Sequence, residues 1–301
     1  MNTATLPSSS AVVEAIDVSV AYGSRGEFTA VKGVSVAVER GELFALLGTN
    51  GAGKTSTLET IEGYRAPTSG RVSVFGESPT NRSAVRPRMG IMLQDSGFAG
   101  DLTVSESLRL AGKLSSREDD ETRVLAAVGL STKGDTRVAQ LSGGERRRLD
   151  FAMAVWGSPE LIFLDEPTTG LDPAARDALW DVVADLRRAD TTIILTTHYL
   201  EEAQKYADRI ALMHEGRIER EGTLEQLVAG EPSHISFVVP EGAQPPLAIA
   251  STDNGVARVE TDDVQRDLWL LLSWARDAGF QLDRLSASTS NLDDVFRSLG
   301  R

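Results

Sequence analysis

Residues 43–56 read Leu43-Phe44-Ala45-Leu46-Leu47-Gly48-Thr49-Asn50-Gly51-Ala52-Gly53-Lys54-Thr55-Ser56. Five consecutive apolar residues suit a strand buried on both faces of a parallel sheet. The next eight fit G-x-x-x-x-G-K-[ST], a loop whose glycines let backbone N–H groups turn inward around a phosphate. The helix that follows, expected over 55–63, would present its positive end to the same anion. Lys54 is spaced to reach the β- and γ-phosphates, and the Thr55 hydroxyl to hold Mg²⁺. Strand, glycine loop and helix in that order predict a nucleotide-binding α/β fold.

Two further motifs extend the site. Leu161-Ile162-Phe163-Leu164-Asp165-Glu166 ends a second apolar run in two carboxylates. Asp165 is placed to hold Mg²⁺, and Glu166 to orient and deprotonate an attacking water. Leu141-Ser142-Gly143-Gly144-Glu145 precedes a helical run over 145–155. A hydroxyl and free N–H groups at a helix N-terminus make a second anion site. One chain with one phosphate loop has no evident use for it.

The rest of the chain reads as α/β from Val12 to about Leu227. Val12–Val20, Val34–Val38 and Arg71–Phe75 look like half-exposed antiparallel strands. Thr103–Leu130 is helical by pattern, with a capping box at Thr103 and Glu106. The pattern breaks near Ala229–Pro232. Beyond it, strand-like His234–Val239 and Val256–Glu260 and helix-like Val264–Ala278 and Leu292–Leu299 form a small α+β appendix. The expected organisation is a disordered tail over 1–11, a nucleotide-binding domain over 12–229 and an accessory domain over 230–301. At roughly 150 residues per domain, 301 residues fit about two.

Charge and composition narrow the class. Thirty-one Lys and Arg against 44 Asp and Glu give a net charge of −13, which argues against nucleic acid as a partner. No cysteine is present, which excludes disulfides, thiolate metal sites and cysteine nucleophiles. His214 and His234 match no motif and are expected in solvent. The N-terminus lacks a secretory pattern. The longest apolar stretch, Leu268–Ala275, is far short of the ~20 residues that span a bilayer. The expectation is a cytoplasmic protein whose membrane span, if it acts there, comes from another chain.

With its Leu-Ser-Gly-Gly-Glu segment in register between the other two motifs, the chain resembles the ATP-binding cassette (ABC) family, over about Val12 to Leu227. The resemblance implies a parallel-sheet P-loop core with an antiparallel β subdomain and a helical signature subdomain. It also implies a head-to-tail homodimer with two MgATP at the interface, each between one subunit's 48–56 loop and its partner's Ser142–Glu145. That would give the second anion site its use. Further roles carry over residue by residue. Tyr22 would stack on adenine, with Phe28 as competitor, and Gln94 would meet Mg²⁺ and water and link to the transport partner. Asp172 would touch the opposite subunit, and His198 would contact the γ-phosphate. Glu145 departs from the commoner Gln and adds a carboxylate beside an anionic ligand. Arg146–Arg148 reads as a solvated helix face.

The lone cassette and the ending Asn291-Leu292-Asp293-Asp294-Val295-Phe296 are similar to the drug-resistance exporter subgroup. This implies a peripheral ATPase on the cytoplasmic face of the membrane, driving export through a multi-span permease. Import is the alternative direction, and a soluble ABC ATPase acting on nucleic acid or ribosomes is the alternative class. Thr132-Lys133-Gly134-Asp135 formally fits a guanine-reading motif. It follows a helical pattern rather than a buried strand, so a solvated loop is expected. The appendix is expected to bury Leu268, Leu271, Leu272, Trp274 and Ala275.

Overall fold

The computed structural model describes residues 11–23, 27–93, 97 and 99–299. It divides into two compact units, Met1–Thr223 and Leu224–Arg301. The expected polar tail falls almost wholly outside the described residues, and Ala11 already begins a strand.

In the first unit the strands are β1 (Ala11–Tyr22), β2 (Phe28–Glu39), β3 (Leu43–Gly48), β4 (Ser69–Val74), β5 (Met89–Met92), β6 (Leu161–Asp165), β7 (Thr192–Thr196), β8 (Arg209–His214) and β9 (Arg217–Gly222). The helices are α1 (Lys54–Ile61), α2 (Arg82–Val85), α3 (Val104–Ser115), α4 (Glu121–Ala127), α5 (Gly143–Val155), α6 (Pro173–Arg188) and α7 (Leu200–Tyr206). A six-stranded sheet has the order β5-β6-β7-β3-β8-β9, parallel except for the β8–β9 hairpin. A separate antiparallel sheet has the order β2-β1-β4.

The apolar runs are continuous because the central strands are covered on both faces, and alternate side chains go to different cores. Phe44, Leu46, Leu161, Phe163 and Ile194 pack toward the antiparallel sheet and α1. Leu43, Ile162, Leu164, Ile193 and Leu195 pack toward residues of α3, α5 and α6. The 48–56 loop, Asp165 and the segment after Thr196 therefore leave the sheet at one end, the C-terminal end of neighbouring parallel strands, where ligands of such sheets bind.

The single helical pattern over 103–130 is two helices. Ser116 turns left-handed at φ 56° to close α3, and the Asp120 side chain caps α4 by accepting from the Thr122 and Arg123 N–H groups. The capping box that opens α3 forms as expected. Glu106 N–H donates to Thr103 Oγ1, and the Glu106 carboxylate takes the Thr103 N–H at 2.9 Å.

The second unit contains α8 (Leu224–Val228), β10 (Ser233–Val238), β11 (Ser251–Asp253), β12 (Val256–Thr261), α9 (Val264–Ala278), β13 (Ser286–Ser288) and α10 (Leu292–Leu299). Its antiparallel sheet has the order β11-β12-β10-β13. Ile235, Phe237, Ala257, Val259 and Leu271 form its core, with Leu268 and Trp274 packed at the edge. Ala275 is buried too, whereas Leu272 is 46 % exposed, one position past the buried stripe. His234 is not in solvent. It is 9 % exposed, and its Nε2 lies 3.0 Å from Asp294 Oδ2, whose other oxygen takes Arg258. The pair ties β10 to the start of α10, where Asp294 also accepts the Asn291 N–H.

Candidate nucleotide site

The loop between β3 and α1 is shaped by close backbone contacts. A side chain at Gly48 would meet the Met213 carbonyl at 2.3 Å, and one at Gly53, with φ 102°, the Ala30 carbonyl at 2.4 Å. Only glycine fits at either position. The loop closes on itself through Ala52 N–H to Thr49 O. Gly53 is the N-cap of α1 and supplies no side-chain acceptor, and the first turn of α1 has no acidic residue. A helix start without a protein cap, facing a glycine loop, fits an oxyanion ligand. Lys54 Nζ donates to the carbonyls of Gly48, at 2.8 Å, and Thr49, at 3.2 Å, so its ammonium is held along the loop. Burial pulls the Lys54 pKa down, and the charges of Glu166 and Asp165 pull it back up. Asn50, Gly51, Thr55 and Ser56 complete the loop and first turn.

Tyr22, at the end of β1, reaches this helix. Its hydroxyl is 2.8 Å from Ser56 Oγ, and the Arg65 guanidinium lies 4.3 Å from its ring centroid. Phe28 is 61 % exposed, with its ring centroid 6.4 Å from that of Tyr22.

Asp165 ends β6 and accepts a hydrogen bond from Thr196 Oγ1 of β7. Glu166 follows in the left-handed region at φ 51°, a conformation costly for a residue with a β-carbon. Its N–H is fixed to Thr196 O at 3.0 Å. The side chain is 10 % exposed, with Oε1 2.6 Å from His198 Nε2 and Oε2 3.4 Å from Thr169 Oγ1. So short a contact is a hydrogen bond between carboxylate and imidazole. His198 follows β7, its side chain 47 % exposed. Thr197, just before it, donates to Glu202 at 3.0 Å and accepts the Tyr199 N–H, which braces that loop.

Ser142 is the N-cap of α5. Glu145 N–H donates to Ser142 Oγ, and the Glu145 carboxylate takes the Ser142 N–H at 2.8 Å, so the signature is a second capping box. This accounts for Glu145. Its other oxygen pairs with Lys133 Nζ at 2.9 Å. Together the Ser142 N–H and Lys133 push its pKa down to about 2. The carboxylate is consumed locally, and the N–H groups of Gly143 and Gly144 stay outside the box. Lys133 of the guanine-like motif is thus a partner of Glu145, and Gly134 O takes the Ser105 N–H. Asp172 is an exposed N-cap of α6, accepting the Ala175 N–H at 2.9 Å.

The structure thus gathers the 48–56 loop, Asp165, Glu166 and His198 at one sheet end. Among the described residues, no hydrogen bond or ion pair links 48–56 to 142–145. Gln94 lies outside the described residues. The run Arg146–Arg148 is not a uniformly solvated face. Arg146 is exposed, but the Arg147 side chain is 11 % exposed and turned inward. Glu62, at the end of α1, was not anticipated. It is 3 % exposed, and burial together with the charge of Asp165 raises its pKa to about 8, so it keeps its proton at neutral pH. Its place four residues after buried Leu58 was the available sign.

Fold and site define a P-loop nucleoside-triphosphatase. A profile of the ABC transporter family matches residues 31–169, and one for the C-terminal domain of ABC transporter domain-containing-like proteins matches residues 233–290. The Nod factor export ATP-binding protein I of Paraburkholderia xenovorans is 41 % identical over 214 residues, 69 % of this chain and 70 % of that one. The daunorubicin resistance ATP-binding protein DrrA3 of Streptomyces coeruleorubidus is 35 % identical over 304 residues, 95 % of each chain. A solved structure of an ATP-binding subunit of an ABC transporter superposes with a TM-score of 0.68 at 29 % identity, covering 72 % of this chain and 92 % of that one. The chain belongs to the ATP-binding subunits of the ABC transporter family, and it is an ATP-binding, ATP-hydrolysing protein. Among the described residues, no helix is long and apolar enough to cross a membrane.

Proposed function

We propose that this chain hydrolyses MgATP in a head-to-tail homodimer and so drives export through a separate multi-span membrane protein, on its cytoplasmic face. The observation that carries the dimer is the divided site. One helix start, at α1, adjoins Asp165, Glu166 and His198, while another, at α5, offers Ser142 with no bond to the first. A second copy supplies the missing half. Export is supported by the relatives, a Nod factor export ATP-binding protein and a daunorubicin resistance ATP-binding protein. For the membrane partner the candidate face is α3, where Leu110 is 45 % and Leu114 78 % exposed.

In this reading the loop N–H groups not used within it, together with Lys54, hold the β- and γ-phosphates, and Tyr22 stacks on adenine. Thr55, Asp165 and Gln94 would hold Mg²⁺; a hydroxyl, an amide oxygen and a carboxylate suit that hard cation. When bound, Mg²⁺ neutralises charge on the phosphate oxygens. Glu166 accepts a proton from water as the water oxygen bonds to the γ-phosphorus and the bond to the β–γ bridging oxygen breaks, giving ADP and phosphate. His198, its Nε2 now hydrogen-bonded to Glu166, donates to the γ-phosphate once nucleotide is present. Ser142 and the Gly143 and Gly144 N–H groups close on the partner's γ-phosphate, and Asp172 meets the opposite subunit.

Size measurement on the Glu166→Gln protein with and without MgATP tests the divided site. The expected result is an ATP-dependent dimer that Ser142→Ala weakens by at least about 100-fold, since each of the two copies loses one hydrogen bond to a charged group. A monomer at saturating ATP would overturn it.

A further inference from the structure

Arg147, two residues past the signature segment, points back into the protein. Its Nη2 donates to the carbonyl oxygens of Asp165 and, at 2.7 Å, Glu166. Nη1 donates to Leu93 O at 2.8 Å, the residue before Gln94, and lies 3.5 Å from Asp150 Oδ2. One planar, permanently charged fork thus joins α5, the end of β6 and the exit from β5.

Its grip on Glu166 matters most. The left-handed backbone there persists only because its surroundings hold it. The N–H side is fixed by Thr196 O, and the carbonyl side by Arg147. The direction in which the Glu166 carboxylate leaves the chain depends on that peptide. Meanwhile α5 begins at Ser142, about 7.5 Å along the helix from Arg147 at 1.5 Å per residue. A displacement of the α5 start is carried by the same rigid helix to the Glu166 carbonyl.

We propose that Arg147 is a positioning residue for hydrolysis, locking the Glu166 backbone to the signature helix and so fixing the direction of the water-orienting carboxylate. This rests on the reading of Glu166 as the group that orients water. Lysine keeps the charge but presents a single nitrogen, which cannot serve carbonyls on both arms of the fork.

The test uses the full chain with Arg147→Gln and Arg147→Lys, alone and combined with Glu166→Gln, measuring kcat, ATP affinity and thermal midpoint. Arg147→Gln is expected to lower kcat about 10- to 100-fold, as misplacements near 1 Å do. ATP affinity should change by less than about threefold, and Arg147→Lys should fall between. In the Glu166→Gln background, adding Arg147→Gln should cost no further turnover, because Arg147 acts through Glu166. An equal fractional loss in both backgrounds would mark a general structural role and overturn the proposal. So would kcat within about twofold of the parent while Glu166→Gln is inactive. Normal turnover of Glu166→Gln alone would instead overturn the reading of Glu166 beneath it. If Arg147→Gln melts below assay temperature, Arg147→Lys carries the same comparison.

Discussion

The Glu166→Gln protein is expected to bind ATP as tightly as the parent and to hydrolyse it about 10²- to 10⁴-fold more slowly, the range that general-base catalysis supplies. Gln has nearly the same shape and can keep the left-handed backbone, the Thr196 contact and the Arg147 contact, all of which are made by main-chain atoms. What it loses is the ability to take a proton. Its amide can still meet His198, so the surrounding loop should hold. Single-turnover hydrolysis and equilibrium ATP binding on one preparation separate the two effects. Turnover near the parental rate would mean that water is activated elsewhere in the site.

The second large effect is expected at Lys54. Lys54→Ala removes the ammonium that spans the Gly48 and Thr49 carbonyls and waits for phosphate. A hydrogen bond to a charged group is worth about 1.5–3 kcal/mol, which converts to an ATP affinity about 10- to 150-fold weaker. Folding should be little affected, since Thr49 is exposed and Gly48 only partly buried, so water can replace the ammonium at these carbonyls. Calorimetric titration with ATP and a melting curve decide it. Unchanged affinity would contradict the placement of the phosphates, and a large loss of stability would make the ammonium a structural brace.

These two effects were legible because their residues sit in short local patterns. The strand-loop-helix order around Gly48–Thr55 needs only nearest neighbours, as does the capping box at Thr103; the box at Ser142 has the same local pattern but reads from sequence as an anion site, with Glu145 out of place. The buried strands showed themselves by continuous apolar runs, and α9 and α10 by their periodicity. Less was legible where the signal is weak or distant. Strands β11 and β13 are short, exposed and polar, with no alternation to read. The β8–β9 hairpin was readable in principle, since Glu215 and Gly216 take the positive φ angles of a tight hairpin turn. Its apolar strand resembles any other buried run.

The contacts that adjust the site were the least visible. Lys133 answers Glu145 across 12 residues, and Arg147 reaches Leu93 across 54. Neither spacing follows a helical or strand period, so only the folded chain discloses them. His234 shows the same limit. A histidine on a strand says nothing of the Asp294 carboxylate brought to it by a helix 60 residues later.

This ATPase is proposed to work for a membrane partner. The most direct measurement is to tag the Glu166→Gln protein in its native host, extract with mild detergent and ATP, and identify what co-purifies. A multi-span membrane protein in stoichiometric amount is the expected result. A wholly soluble dimer, or one carrying ribosomal or nucleic-acid components, would contradict it.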